Sequence, residues 1–248
     1  MGEKVTLDTS VSIDKNTDPA NLRDQIRQMR RSYGEEGLHE NALAQDPIAQ
    51  FTQWLGQASE NPYIVEANAM VLSTIEVVNS SDGSPAIRPA SRTVLLKGLD
   101  GDLGDQFTFF TNYESAKATQ IEQHPEVSLL FPWYAMERQV IVKGLAHKVA
   151  QSVSDEYFAT RPWGSQIGAW ASSQSRELAT REELEASYQR FADKYPEGSS
   201  VPTPPHWGGF SVNPISIEFW QGRYSRLHDR LIFTRGAGSS WVIGRLYP

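Results

Sequence analysis

Residues 69–78, AMVLSTIEVV, decide how the chain is read. Ahead of them apolar residues recur at helical spacing; from Ala69 onward the chain is rich in β-branched residues and reads as strand. On the N-terminal side, Asp46-Pro47 sets an N-cap residue before a proline at the first helical position. Ile48, Phe51, Leu55 and Ala58 form the apolar stripe of that helix, with Trp54 beside it. An earlier helix starts at Asp18-Pro19, carries Leu22, Ile26, Met29 and Tyr33 on one face and stops at Gly34. Residues 1–17 are polar and aperiodic. They read as a mobile arm ahead of a single unit, residues 18–248.

On the C-terminal side, SSDGSP at 80–85 is a turn, 87–97 a second strand, and 100–105 a loop carrying two Gly and three Asp. A third strand follows at 106–111, then a helix at 115–124 ended by Pro125, then a hairpin of 127–133 with 139–149. Antiparallel strands with one inserted helix predict a barrel rather than a βαβ sheet. A helix capped by Ser152 spans 152–160 and ends before Pro162; Thr180 to Glu183 forms a capping box opening another, with Leu184, Tyr188, Phe191 and Tyr195 on its apolar face. A Pro-rich crossing at 196–206 leads to a strand at 210–220, a turn at Gly222, a strand starting near Leu227 and a last strand at 241–246. These close the barrel, so the fold class is mainly β with flanking helices, an α+β chain.

Composition narrows the function classes. The chain has 248 residues, 39% hydrophobic and 21% charged, which is ample for a sizeable core. Its net charge of −7 argues against a nucleic-acid or anionic-membrane surface, so any anion site must be a local basic pocket. With no Cys there is no disulfide, no thiolate nucleophile and no Cys-based metal site. No apolar run is long enough to span a bilayer, and the polar start lacks the apolar core of a signal peptide. The expectation is a cytoplasmic protein.

Several segments carry groups that could do chemistry. In RTVLLK, 92–97, an apolar strand has a cation at each end. Strand parity puts Arg92 and Lys97 on opposite faces, so they either reach into water or serve different groups. In FTNYESAK, 110–117, a strand runs straight into a helix start, whose free N–H groups suit a phosphate. Thr111 and Ser115 add hydroxyls there and Lys117 a charge, although plain N-capping by Ser115 needs no ligand. Gln139 enters a strand within ERQV. Tyr157 and Arg161 are four apart on one helix face, and Ser165 follows in the loop beyond Pro162. The three make a phosphate clamp or, equally by spacing, an ordinary Tyr–Arg stack. In RLHDR, 226–230, Arg226, His228 and Arg230 alternate with Leu227 and Asp229 and so share one sheet face. That face is either a solvated edge or a seat for something anionic or electron-rich.

Taken in order, these segments resemble the pyridoxine/pyridoxamine 5′-phosphate oxidases, flavoproteins that make pyridoxal 5′-phosphate. The resemblance covers residues 29–248 and implies a flavin mononucleotide (FMN)-binding split β-barrel. RTVLLK resembles their flavin-binding strand, which implies FMN contacts from Arg92, Thr93, Val94, Leu95, Leu96 and Lys97, with Lys97 also reaching the substrate phosphate. The 110–117 segment implies an FMN phosphate at Phe110, Thr111 and Lys117. It departs from the family pattern twice, with Phe110 for a Tyr and Ala116 for an Arg; the second removes a charge-assisted contact of a kind contributing roughly 1.5–3 kcal/mol. Gln139, Gln174, Ser175, Trp220 and Arg230 match further FMN contacts. YFATRPWGSQIGAW resembles the segment in which Tyr157, Arg161 and Ser165 hold the substrate phosphate, and Arg226 and His228 match the residues facing the substrate ring, the catalytic pair. MRRSY, 29–33, is similar to a lid segment, with Arg30 and Tyr33 facing the substrate.

The resemblance implies a homodimer with flavin at the subunit seam. The implied reaction oxidises pyridoxine or pyridoxamine 5′-phosphate at C4′, with hydride passing to FMN and O₂ giving hydrogen peroxide. Two alternatives stand beside it: a split-barrel flavin reductase with another substrate, and a non-catalytic carrier of pyridoxal phosphate or FMN.

Overall fold

The Asp46-Pro47 signal does what its chemistry dictates. In the computed structural model, which describes residues 26–27, 33–35, 37–79, 83–100, 104–236 and 240–248, the Asp46 carboxylate accepts from the N–H groups of Ile48 and Ala49. It thereby opens α1 (Pro47–Glu60). Phe51 of α1 packs edge-on against Phe107 and Phe131, with ring centroids 5.0 and 4.8 Å apart, and Trp54 meets Phe219 at 5.2 Å. The helix thus seats its apolar face on the interior of the sheet, with Trp54 more deeply buried than Leu55. The 1–17 arm, the helix start at Asp18-Pro19 and Arg30 lie outside the described residues.

The strands are β1 (Ala69–Asn79), β2 (Pro85–Leu95), β3 (Gly98–Asp100), β4 (Gln106–Asn112), β5 (Glu126–Trp133), β6 (Arg138–Lys148), β7 (Trp207–Gln221), β8 (Asp229–Arg235) and β9 (Trp241–Leu246). They form one nine-stranded sheet in the order β2-β1-β5-β6-β7-β4-β3, and β8 pairs with β7 and β9. Every pairing is antiparallel. β7 splits the sheet: its residues 207–212 pair with β4, and its residues 216–221 pair with β8. The ladder with β6 slips its register at Lys143/Gly144, opposite the changeover. A Cβ at Gly144 collides with the Asn213 carbonyl, so only glycine fits that close approach. The path closes where the Lys97 N–H, just past β2, donates to Thr108 O of β4 at 2.8 Å. Phe51, Phe107, Phe131, Leu129, Val140, Val142, Phe219 and Phe233 are all fully buried inside, each contributing about 1.5–3 kcal/mol.

Among the described residues, four further helices flank the sheet: α2 (Ala116–Gln123), α3 (Gln151–Ala159), α4 (Trp163–Ala171) and α5 (Arg181–Lys194). Thr180 caps α5 as its capping box predicts, accepting from the Glu183 N–H at 3.3 Å. Two expectations fail here. Ser152 lies inside the first turn of α3, whose N-cap position is Ala150 with no side-chain cap. The loop expected after Pro162 is α4, because the proline that stops one helix opens the next. Ile167 of α4 then packs with Phe158, Val201 and Trp207 in a second core. The Pro-rich crossing is tied down through Pro202 O, which accepts from Trp170 Nε1 at 2.8 Å, and Pro204 O, which accepts from the Trp207 N–H at 3.0 Å.

The C-terminal hairpin corrects a third expectation. β8 starts at Asp229, not Leu227, and Tyr224–Arg226 is a 3₁₀ turn with Ser225 and Arg226 at φ of 55° and 61°. The turn uses donors that a strand pairs otherwise: Leu227 N–H donates to Tyr224 O at 3.2 Å, and Arg223 N–H donates to His228 Nδ1 at 3.0 Å. Arg226, His228 and Arg230 therefore do not share a strand face; Arg230 alone of the three is in β8. Among the described residues, no helix is long and apolar enough to cross a membrane.

Candidate functional site

The end of β2, β4, the start of α2 and the α3–α4 corner enclose a cavity of about 500 Å³. Lys97, Lys117 and Arg161 line it, and among the described residues its lining includes no carboxylate. Thr93, Val94, Leu95, Phe110, Thr111, Tyr157, Ser165 and Gln174, all singled out in the sequence, also line it. β2 ends at Leu95, so strand parity no longer fixes the side of Lys97, which lines the cavity.

One corner is built on the β4–α2 junction. Lys117 Nζ donates to Gln174 Oε1 at 2.8 Å, Thr111 Oγ1 at 3.2 Å and Ser115 Oγ at 3.4 Å. Ser115 sits at the N-cap of α2 yet makes no side-chain cap bond, so its hydroxyl is not committed to the helix. Burial, and secondarily the Arg92 charge, pull the Lys117 pKa down to about 8. Arg92 lies behind this corner and does not line the cavity. Its guanidinium donates to Thr74 Oγ1 at 2.6 Å and Gln120 Oε1 at 2.9 Å. Burial lowers its pKa, against a pull the other way from Glu76. Two neighbouring cations held by neutral partners make an electropositive spot on an acidic protein.

The second corner is built by the end of α3 and the start of α4. The Tyr–Arg stack that spacing allows does not form. Tyr157 stacks on Phe110 with centroids 4.1 Å apart, while the Arg161 guanidinium lies 4.8 Å from the Trp207 ring centroid. Arg161 Nη1 is buried with no hydrogen-bond partner, alone in this among the described side-chain nitrogens and oxygens. Burial lowers the Arg161 pKa, and Tyr157 opposes that. A buried guanidinium N–H without an acceptor costs stability unless an anion completes it.

The remaining candidates lie elsewhere. Gln139 and Trp220 are register partners across β6 and β7, and Trp220 pairs with Arg230 of β8. His228 stands 4.6 Å from Trp220, and Tyr33 meets Trp220 and His228 edge-on at 5.8 and 5.2 Å. Arg226 is exposed on the adjoining turn. None of these lines the cavity. Burial and the Arg226 charge lower the His228 pKa, and the Arg223 N–H occupies Nδ1, so the neutral ring carries its proton on Nε2. Arg230 is committed to Glu218 through two bonds of 2.7 and 3.1 Å. Leu96 is buried away from the cavity, and Ser175, at φ 71°, lines a separate recess with Ala116 and Arg176. Sequence reading passed over Trp207, Asn112 and Ser172 as cavity residues and Glu218 as the partner of Arg230. Their contacts come from remote segments, and no local spacing signals them.

Comparison with known proteins agrees with this architecture. Residues 58–195 match a family model described as pyridoxamine 5′-phosphate oxidase, and residues 207–248 match one described as the pyridoxine 5′-phosphate oxidase C-terminal dimerisation region. A pyridoxine/pyridoxamine 5′-phosphate oxidase of Streptomyces avermitilis is 48% identical over 223 residues, 89% of this chain and 95% of that protein. One from Cupriavidus metallidurans is 46% identical over 90% of this chain and 99% of its own length. Among solved structures, PhzG from Burkholderia lata 383, in complex with tetrahydrophenazine-1-carboxylic acid, superposes with a TM-score of 0.73 at 27% identity over 87% of this chain and 100% of that one. An FMN-binding protein from Nostoc punctiforme shares the fold at a TM-score of 0.63 and 17% identity, covering 83% of this chain and 100% of its own. On its strand order, its sequence matches and its structural likeness, the chain belongs to the pyridoxamine 5′-phosphate oxidase family.

Proposed function

We propose that this chain, as one unit from residue 18 to 248, oxidises pyridoxine or pyridoxamine 5′-phosphate to pyridoxal 5′-phosphate, with FMN as cofactor and two copies per functional unit. The observation that carries this reading is the cavity lining: three cations, no carboxylate among the described residues, and a buried guanidinium N–H without an acceptor. Phosphate dianions suit such a donor set. Two separate corners suit two phosphorylated molecules, and the names of relatives 46–48% identical to this chain point the same way.

The residues fit the cofactor. Lys117, Thr111 and Ser115 would hold its phosphate at the start of α2, with Arg92 adding charge behind them. When bound, FMN would supply the hydride acceptor for C4′ and a route for two electrons to O₂, giving hydrogen peroxide; with the amine substrate, water would then hydrolyse the imine and release ammonia. The chain supplies position and charge. Lys97, Tyr157, Arg161 and Ser165 anchor the substrate phosphate, and this remote grip holds C4′ in place. His228 offers an Nε2–H donor to the substrate ring, and Arg226 a charge beside it. Gln139, Trp220, Arg226, His228 and Arg230 lie off the cavity of their own chain, so we assign them to the cavity of a second copy. The match of 207–248 to a dimerisation region supports this assignment. Tyr33 belongs with them as a cover over Trp220 and His228.

A second reading follows from the PhzG likeness: oxidation of a carboxylated ring compound in the same cavity. Oxygen uptake by the purified protein separates the readings. The expected result is a yellow protein that consumes O₂ with pyridoxine or pyridoxamine 5′-phosphate and not with their dephosphorylated forms. Uptake only with a carboxylated ring supports the second reading, and a colourless protein that binds the vitamers without uptake supports a carrier.

A further inference from the structure

The wall beside Arg161 is aromatic. Phe110, Tyr157 and Trp207 stack nearly parallel: Phe110 lies 4.1 Å from Tyr157 and 5.4 Å from Trp207, with interplanar angles of 21° and 10°. Tyr157 and Trp207 are 6.2 Å apart at 11°. The Arg161 guanidinium lies 4.8 Å from the Trp207 centroid and 5.6 Å from Phe158. Trp207 is itself fixed. It is only 6% exposed, meets Phe158 edge-on at 5.0 Å, pairs with Asn112 across β4 and β7, and donates its backbone N–H to Pro204 O. A guanidinium packed among apolar rings usually turns toward a carboxylate or toward water. Here no carboxylate lines the cavity among the described residues, and the electron-rich indole face takes the place of a counter-ion.

We propose that Trp207 is a positioning residue for recognition of the substrate phosphate. Its indole face fixes the plane of the Arg161 guanidinium and leaves Nη1 free of protein acceptors, so that this N–H serves the phosphate. Phe110 and Tyr157 stack nearly parallel to the indole, at 5.4 and 6.2 Å between centroids, and hold its orientation. The inference rests on the reading of this corner as a phosphate site. It predicts selective loss: removing the indole weakens phosphorylated ligands and spares ligands without a phosphate.

The test is equilibrium binding of 4-deoxypyridoxine 5′-phosphate, which has no oxidisable C4′ hydroxyl, against 4-deoxypyridoxine, on the FMN-loaded protein. Trp207→Leu is expected to weaken the phosphorylated ligand about tenfold and the other less than about twofold, with Trp207→Phe restoring most of the loss. Arg161→Ala should cost less in the Trp207→Leu background than in the unmodified protein, since the two act as one device. Unchanged affinity in Trp207→Leu, equal loss of both ligands, or losses that simply multiply with Arg161→Ala overturns the proposal. Should Trp207→Leu not fold, Trp207→His decides: a loss of at least about threefold confined to the phosphorylated ligand is expected, and no loss overturns it. An unmodified protein that does not prefer the phosphorylated ligand sinks the phosphate-site reading itself. A preserved preference that Trp207 variants leave untouched sinks this inference alone.

Discussion

The cations of the cavity and those of the C-terminal hairpin have opposite kinds of partner. In the hairpin, Arg230 is gripped by Glu218, Arg245 by Glu40 and Asp229, Arg223 by Asp229, and Arg235 by Asp105. Arg245 and Asp229 tie the hairpin to the 38–40 segment, whose Leu38 N–H donates to Asp229 Oδ2 and whose Leu38 O accepts from Arg245 Nη2, both at 2.9 Å. In the cavity, Lys117 meets an amide and two hydroxyls, and Arg161 meets rings. Charges paired with carboxylates are completed within the chain and need no ligand to offset their burial. Charges left with neutral partners lower stability until an anion arrives, which is the signature of a binding site.

That contrast breaks if hairpin and cavity variants fail in the same way. The largest effect belongs to the hairpin: Asp229→Ala leaves Arg245 and the Leu38 N–H without their buried acceptor, at a cost of about 2–4 kcal/mol in urea unfolding. Burial alone raises the Asp229 pKa, but the Leu38 N–H and Arg245 outweigh it and hold the carboxyl below its usual value. Its contribution to stability is therefore present above the unfolded carboxylate value and is lost as pH falls below about 4. Acid melts that lose no more stability in the native protein than in Asp229→Ala contradict this.

Next comes Arg161→Ala. Affinity for a phosphorylated vitamer should fall roughly 10- to 100-fold while the urea midpoint stays level or rises, because a buried unpaired charge is removed. A lowered midpoint with unchanged affinity makes Arg161 a structural residue. Lys117 sharpens the contrast through pH. Its pKa in the folded protein lies below the ordinary lysine value, so the charge is present at pH 7 and lost as pH rises through about 8. FMN affinity should drop about tenfold from pH 7 to pH 9, and Lys117→Met should bind more weakly with a flat profile. A native profile as flat as that of the variant rejects the assignment. The smallest effect is Ala116→Arg, an exposed site at the start of α2, where one added charge should tighten FMN by about threefold in a flavin titration. Weaker binding argues against a phosphate at that helix start.

Much of the fold was legible because its signals are local. Asp46-Pro47 opens α1, and the last strand falls on residues 241–246 as read from the sequence. α4 was missed because Pro162 was read only as a stop, although a proline without an N–H is equally suited to a helix start. The 226–230 segment was misread because an alternating pattern looks the same whether extended or turned, and the positive φ values fall on Ser225 and Arg226 rather than on a glycine. For the cavity, the residue types were legible in RTVLLK, in the 110–117 segment and in YFATRPWGS. Their convergence was not, since Lys97, Lys117 and Arg161 meet only through the β2–β4 closure and the α3–α4 corner. The indole under Arg161 depends on the register between β4 and β7 and left no trace in spacing.

The most direct measurement is a crystal structure of the protein with FMN and pyridoxal 5′-phosphate bound. The expected result is one phosphate against Lys117, Thr111 and Ser115 and the other against Arg161, Ser165 and Lys97, with Trp220 and His228 of a second copy facing the rings. Phosphates seated on Arg223, Arg235 or Arg245, or a cavity left without either phosphate, contradict it.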